Sequence, residues 1–426
     1  MPVIDVGIVG LGATGDGLAH LDGETLFVPG AVPGDLVRIH RDTSRIAVLE
    51  EILEPSPERV QPVCSLFGQC GGCSTQALPL PALLEWKVSR VEHALIQAGF
   101  NNLPAPSAFQ VSPLSRRRID LAARRVPGGV ILGLHRRHGD PVDMTECHVI
   151  EPALFALLTP LRAILANLGA LTGDADVQVN MLDSGPDIVI ATDKNFEAAD
   201  RAKLAAFAKQ QNIPRVSWQP RRKTQPIETV VQQGPVKIRF GDITLSPPPN
   251  VFLQATRESE HAIGDAVVKA LPALNRRDPI FELYAGCGTL TAPLSTKGRV
   301  LAYDGATEAI AALKSGAGGQ RIEAIARDLS RQPLLAKDLA KARVIVLDPP
   351  HAGAGPQIQP LAESQCKDII YVSCNPKALE KDAQSLRKAE YDVLSWHVVD
   401  QFLWSSEVEA IVAFTKDSKR LARRRS

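Results

Sequence analysis

Cys374 carries the most chemistry of any residue in the chain. It lies in Tyr371-Val372-Ser373-Cys374-Asn375-Pro376, directly after the apolar run Ile369-Ile370-Tyr371-Val372. A thiolate there could add to an electron-poor carbon. A similar run, Val344-Ile345-Val346-Leu347, ends in Asp348-Pro349-Pro350, which supplies a possible acceptor carboxylate. Glu409 opens the last apolar run and is a candidate base. Each residue also has a plain alternative. A lone cysteine can be a small buried hydrophobe, and a carboxylate at a strand end can be simply solvated. The elements that carry these residues decide between the two.

From about residue 243 the chain alternates strand-like and helix-like patterns. Apolar runs begin near 280, 300, 322, 343 and 369. Two more, Val393–Val399 and Val408–Phe414, are joined only by a loop. This rhythm predicts an α/β fold whose C-terminal part is a Rossmann-like sheet of seven strands, the last antiparallel. Open sheets of this kind bind ligands beyond the carboxyl ends of their strands. Cys374 and Asp348 would then face one crevice, with Glu409 close to it.

The segment Phe281-Glu282-Leu283-Tyr284-Ala285-Gly286-Cys287-Gly288-Thr289-Leu290-Thr291 joins a strand to a G-x-G turn. Glycines at Gly286 and Gly288 let a ligand approach the backbone, and amides that open a helix can face it. Asp304 ends the next strand, where a carboxylate can accept hydrogen bonds from both ribose hydroxyls. Asp328 ends the third, in a place to border an adenine. These are features of S-adenosylmethionine (SAM) methyltransferases. A dinucleotide enzyme would need a third glycine at an offset that is not met here.

Upstream, Cys64-x5-Cys70-x2-Cys73 sets three thiols within ten residues, with Cys147 as the obvious fourth ligand and His148 as its competitor. Such a set suits an iron–sulfur cluster held by four cysteines, and tetrahedral zinc fits the spacing as well. Residues 1–60 read as four or five short strands, with Asp22-Gly23 as a hairpin turn, which suggests a small barrel. A proline-bearing linker follows, then a helix with Leu84, Val88, Val91 and Leu95 on one face. The central stretch, 61–242, is mixed. It holds a hairpin at Pro127-Gly128-Gly129, a helix over Ala153–Leu168 that contains Pro160, and strands near 177–182, 187–191 and 213–219. The division is thus 1–60, 61–242 and 243–426, the last ending in a basic tail.

The 426 residues allow two or three domains. No apolar run is long enough to span a membrane, and the start of the chain lacks a signal-peptide pattern, so a cytoplasmic protein is expected. Seven cysteines then favour metal or catalytic roles over disulfides. The net charge of +1 gives no global field for a polyanion. Local clusters could still bind phosphate: Arg116-Arg117-Arg118, Arg124-Arg125, Arg136-Arg137, Arg221-Arg222-Lys223, and Lys419-Arg420 with Arg423-Arg424-Arg425. No protein partner is evident.

Over nearly its whole length the chain resembles the RNA (uracil-5-)-methyltransferases, specifically the 23S ribosomal RNA branch with an N-terminal TRAM domain and an iron–sulfur cluster. Gly15-Asp16-Gly17-Leu18-Ala19 and Leu26-Phe27-Val28-Pro29-Gly30 look like the TRAM module, an OB-like RNA-binding barrel. Val251-Phe252-Leu253-Gln254 resembles the glutamine segment before the methyltransferase core. The resemblance implies a [4Fe–4S] cluster on Cys64, Cys70, Cys73 and Cys147. It implies a SAM pocket lined by Gln254, Tyr284, Thr289, Asp304, Asp328 and Asp348, with Cys374 as nucleophile and Glu409 as base. It implies 5-methyluridine as product, in 23S rRNA first and transfer RNA second. The sequence departs from the family at His351, usually arginine, at Phe402-Leu403-Trp404-Ser405-Ser406-Glu407, usually Phe-Pro-x-Thr-x-His, and at Asp304, commonly glutamate. A non-catalytic RNA-binding relative would fit the first two changes. A DNA or protein methyltransferase would share the SAM features but leave Cys374 and the barrel without a purpose.

Overall fold

The computed structural model describes residues 3–41, 44–137, 139–222 and 225–424. Its largest sheet has the order Ile322–Ala326, Arg299–Asp304, Pro279–Leu283, Val344–Leu347, Asp368–Ser373, Glu409–Thr415, Asp392–Asp400, Ser107–Gln110. The five strands from Ile322–Ala326 to Asp368–Ser373 are mutually parallel. Glu409–Thr415 runs antiparallel to both neighbours. The chain order reverses between Pro279–Leu283 and Val344–Leu347, which creates a switch-point crevice at the carboxyl edge. Both faces are covered, so side chains that alternate along a strand are apolar on either side. Ile345, Leu347, Ile369 and Tyr371 enter one packed cluster, and Val344, Val346, Ile370 and Val372 the other. This is why these strands read as unbroken apolar runs.

The sheet has eight strands among the described residues, where seven were expected. The eighth, Ser107–Gln110, comes from far upstream and pairs in parallel with Asp392–Asp400. Helix Leu80–Gln97 comes with it: Val91 and Leu95 are buried in the same cluster as Trp396 and Phe414. Lys87 is fully buried on this helix, and its Nζ donates to Asp400 Oδ1 at 2.5 Å and to the Phe402 carbonyl at 2.9 Å. Gln110 Nε2 donates to the other carboxylate oxygen, Oδ2, at 2.9 Å. The acid and the ammonium are thus paired and hydrogen-bonded, the condition under which buried charge is tolerated.

The central residues form a six-stranded sheet in the order Glu228–Gln232, Arg215–Pro220, Gly185–Thr192, Asp174–Leu182, Arg118–Val126, Gly129–Gly133. Helices Pro152–Asn167, with Pro160 inside it, and Ala198–Gln210 pack against it. The N-terminal strands form two three-stranded sheets around one small apolar cluster. Asp22 and Gly23 both have positive φ (49° and 82°) and turn the hairpin between Gly17–Leu21 and Glu24–Val28, as a type I′ turn requires. Six strands lie here among the described residues rather than four or five. Ile46 makes only an isolated bridge to Phe27, and the last strand starts at Val48. Among the described residues no helix is long and apolar enough to cross a membrane.

Candidate active site

Strand register brings the candidate residues together. Ser373 pairs with Ala410 in antiparallel register, so Cys374, one residue on, leaves the sheet opposite Glu409, one residue back. Leu347 pairs with Tyr371 and Leu283 with Leu347, which sets Asp348 and Tyr284 at the same edge. The Asp348 amide donates to the Leu283 carbonyl at 3.3 Å. Past Cys374, Asn375 caps helix Pro376–Lys388 by accepting from the Lys377 amide at 3.0 Å. Its Nδ2 donates to the His351 carbonyl at 3.0 Å. His351 therefore braces the turn that carries the thiol.

Three acidic groups crowd this edge. Glu409 is 4% exposed, and its carboxyl is raised well above the usual range by burial, then by the Asp348 charge. Loss of hydration pushes Asp348 up to about 7. Cys374 is half-buried and is pushed up to about 12, by burial first and then by Glu409 and Asp348. At rest this cysteine is a thiol. Glu409 Oε2 accepts from Gln401 Nε2 at 2.8 Å, and the same nitrogen donates to Gln254 Oε1 at 2.8 Å. Glu409 Oε1 is buried without a hydrogen-bond partner. Glu407, two residues before Glu409, is exposed in the loop before the strand rather than on it. Gln401 was not legible as a site residue, since one amide in a loop gives no pattern. Glu282 was passed over too. It is buried, accepts from Thr291 Oγ1 at 2.5 Å, and is pushed up to about 8 by burial.

On the other half of the crevice, Asp304 Oδ2 accepts from the Gly286 amide at 2.8 Å and Oδ1 from the Ala306 amide at 2.7 Å. The carboxylate therefore ties the G-x-G turn to the second strand. Tyr284 (φ 65°), Gly286 (φ 54°) and Gly288 (φ 98°) all lie in the left-handed region. A Cβ on Gly288 would sit 2.5 Å from the Leu313 side chain, whereas Gly286 faces open space. Thr289 follows half-buried in the turn, and the helix beyond is short, Thr291–Ser295. Asp328 is exposed two residues past its strand, and its carboxylate accepts from Ser330 Oγ and the Ser330 amide.

Cys64, Cys70, Cys73 and Cys147 line one cavity of about 200 Å³ together with Arg116 and His148. His148 is engaged with Glu146 at 2.6 Å. Burial raises Cys64, Cys70 and Cys73, the last to about 12. Among the described residues no three His, Cys, Asp or Glu converge closely enough to hold a metal ion. The thiols share a cavity but are not drawn to ligand distance. The Ser74 and Thr75 amides, next to Cys73, donate to the Trp404 carbonyl at 2.8 and 3.0 Å. The wall of the cavity thus holds the loop between Gln401 and Glu409.

The basic clusters need a correction, because internal partners occupy most of them. Arg117 is buried and paired with Glu260 at 2.5 Å. Arg124 pairs with Asp174 and Asp140. Arg125 donates to the carbonyls of Leu165, Ala166, Leu168 and Leu171, closing the end of a helix. Arg137 pairs with Asp16, Arg221 with Asp176 and Asp193, and Arg420 with Asp368. Arg116 and Arg118 lie over aromatic rings, Phe402 at 5.9 Å and Phe252 at 4.8 Å, while Arg116 also donates to the Arg118 carbonyl and Arg118 pairs with Asp120 at 3.7 Å. Lys223 and Arg425 lie outside the described residues.

The sheet order, the single antiparallel strand and the switch-point crevice define the fold of a SAM-dependent methyltransferase. A family model described as tRNA (Uracil-5-)-methyltransferase matches residues 322–417. An uncharacterized RNA methyltransferase of Mesorhizobium japonicum is 35% identical, over 96% of this chain and 97% of its own. The 23S rRNA (uracil(1939)-C(5))-methyltransferase RlmD of Halomonas elongata is 31% identical, over 95% of this chain and 88% of its own. The crystal structure of a Pyrococcus abyssi tRNA (uracil-54, C5)-methyltransferase with S-adenosyl-L-homocysteine shares the fold, with a TM-score of 0.71 at 19% identity, covering 97% of this chain and 100% of that one. The chain belongs to the RNA (uracil-5-)-methyltransferase family, and it is a SAM-dependent enzyme that acts on RNA.

Proposed function

We propose that the protein forms 5-methyluridine in 23S rRNA, with Cys374 as nucleophile and Glu409 as base. The observation that carries this reading is the opposition of Cys374 and Glu409 across one strand pair, with a free carboxylate oxygen buried at the same edge. Uracil C5 is too weak a nucleophile to take a methyl group unaided. Addition of the Cys374 thiolate to C6 makes C5 enolate-like. SAM, when bound, supplies an electrophilic methyl group. Glu409 then takes the C5 proton, the C5–C6 double bond re-forms, and the thiolate leaves. The Asp348 carboxylate faces the same space.

Gln254, Tyr284, Gly286, Gly288, Thr289, Asp304, Asp328 and Asp348 are proposed to line the SAM pocket. The open space over Gly286 and the carboxylate beside it support this. Asp304→Ala should remove charge-assisted hydrogen bonds worth about 1.5–3 kcal/mol each and also loosen the Gly286 turn. SAM affinity should fall at least about tenfold in calorimetry. Unchanged affinity would put the pocket elsewhere.

Two further assignments belong to this reading. The 1–60 segment is proposed as a TRAM-like barrel, 61–242 as a central domain and 243–426 as the methyltransferase domain. Cys64, Cys70, Cys73 and Cys147 are proposed to hold a [4Fe–4S] cluster. Support for the cluster comes from the four cysteines that line one cavity. Protein purified without oxygen should be brown and contain iron. Colourless protein with stoichiometric zinc would replace the iron assignment.

RNA would be gripped at the crevice mouth rather than by a general field. Phe252 is 63% exposed beneath the Arg118 guanidinium, two residues from Gln254, and such a pair can stack on an unstacked base. The 23S preference draws on the Halomonas relative, which matches along nearly the whole chain. The tRNA-named family model matches residues 322–417 alone. Methylation of 23S transcript against transfer RNA transcript tests the preference. Preferential labelling of transfer RNA would reverse it, and labelling of neither would favour a non-catalytic relative.

A further inference from the structure

We propose that Gln401 is the positioning residue for Glu409. Its side-chain amide holds one carboxylate oxygen of the base so that the other stays free for the C5 proton. The inference rests on the reading of Glu409 as the base.

Gln401 is 2% exposed, and its amide makes four hydrogen bonds. Oε1 accepts from the Ala255 amide at 2.9 Å and from Ser259 Oγ at 2.9 Å. Nε2 donates to Gln254 Oε1 and to Glu409 Oε2, each at 2.8 Å. A carboxamide has two donors and two acceptor lone pairs, so the group is fully used. Its orientation is determined as well, because a backbone N–H can only donate. The Gln401 oxygen must face Ala255, and the NH2 must face the two acceptors. Ser259 belongs to the capping box of helix Arg257–Ala270, which makes the anchor rigid.

The consequence for Glu409 follows from donor chemistry. A hydrogen bond to a carboxylate favours its charged form, and only the charged form can accept a proton. Burial and neighbouring acids push the other way. Cys374 faces Glu409 from the adjoining strand and Asp348 from the next, with Glu407 ahead of it on its own segment. Among the described residues Gln401 is the one group that donates a hydrogen bond to the Glu409 side chain. With Oε2 occupied, proton transfer goes to Oε1. The C5–H bond breaks, its electrons re-form C5=C6, and the C6–S bond breaks to return the thiolate of Cys374. Gln401 touches no reacting atom in this scheme, and saturating SAM offsets its bond to Gln254 of the proposed SAM pocket, so at saturation its effect should fall on the release step.

The test uses the full-length enzyme with substrate RNA and labelled SAM in single turnover. A denaturing gel follows formation and collapse of the methylated protein–RNA adduct at several pH values. Gln401→Met keeps the length of the side chain but has no donor. Gln401→Leu also lacks a donor and is close in volume, and it serves if the methionine variant is unstable. With SAM at saturation, both variants should form the adduct at the wild-type rate and release it about tenfold more slowly. The midpoint of the release profile should move up by roughly one pH unit, the scale of a lost hydrogen bond to a charged group. A parallel loss of formation and release, with the midpoint unmoved, would reduce Gln401 to a packing role and overturn the proposal. Glu409→Gln separates the two readings. If that variant accumulates adduct while the Gln401 variants release normally, only the inference about Gln401 fails. If it accumulates none, the assignment of the base itself fails.

Discussion

Cys374→Ala is expected to abolish methyl transfer while leaving SAM affinity unchanged. Without addition at C6, uracil C5 has no carbanion character, and no other thiol reaches this edge: Cys287 and Cys366 are buried in the packed interior. A loss of at least about 10⁴-fold in single turnover is expected, the scale seen when a covalent nucleophile is removed. The residue is half-buried at a strand end, so the fold should persist, and calorimetry with SAM serves as the control. The pH dependence follows from the same geometry. The thiol is pushed up to about 12, so its reactive thiolate is scarce at neutral pH and grows as pH rises. The adduct-forming rate should therefore climb between pH 6 and 9. Ionisation of Asp348, pushed up to about 7, adds nearby negative charge and should make the climb shallower than tenfold per unit. Retained methylation in Cys374→Ala, or a rate that falls across this range, would contradict the assignment.

Glu409→Gln is expected to stop the reaction one step later. The amide nearly matches the carboxylate in shape, so addition and methylation should proceed. It cannot take the C5 proton, so the enzyme should remain joined to methylated RNA. Turnover should fall by roughly 10²–10⁴-fold, the usual contribution of a general base. A slowly migrating band in a denaturing gel, carrying both protein and labelled methyl, is the expected sign. Full activity without that band would remove Glu409 from the mechanism. Glu407 would be a poor substitute, since it lies exposed outside the strand. Asp348 would then be the nearer candidate.

The parts of the fold that could be read from the sequence share a physical reason. Strands buried on both faces leave unbroken apolar runs, as at Val344–Leu347 and Ile369–Val372. The acids that end them stand out because little else polar is near. Cys374, Asp348, Asp304 and Glu409 therefore stand out as candidates by position as much as by type. The eighth strand was not legible: Ser107-Ala108-Phe109-Gln110 is short, largely exposed and without alternation. Helix Ala198–Gln210 was missed because its apolar residues form no clear stripe. The arginine clusters misled for a different reason. Charge is visible in a sequence, but the carboxylates and carbonyls that absorb it are not. Arg137 meets Asp16 across 121 residues of chain, and Arg117 meets Glu260 across 143. Gln401 failed the same way, since its partners Gln254 and Ser259 lie more than 140 residues away.

The upstream strand Ser107–Gln110 also sets a timetable for assembly. Its Gln110 meets Asp400 across 290 residues of chain. At about 5–20 residues per second of synthesis, the upstream strand waits roughly 15–60 s for its partner. During that wait Ser107–Gln110 is unpaired, and without it Asp392–Asp400 would be an open edge, ready to pair with a strand from another chain. Lys87 meanwhile lacks Asp400. The catalytic half made alone would carry this exposed edge permanently, so it should associate with itself rather than stay monomeric. Addition of the 80–110 segment should restore a single soluble species.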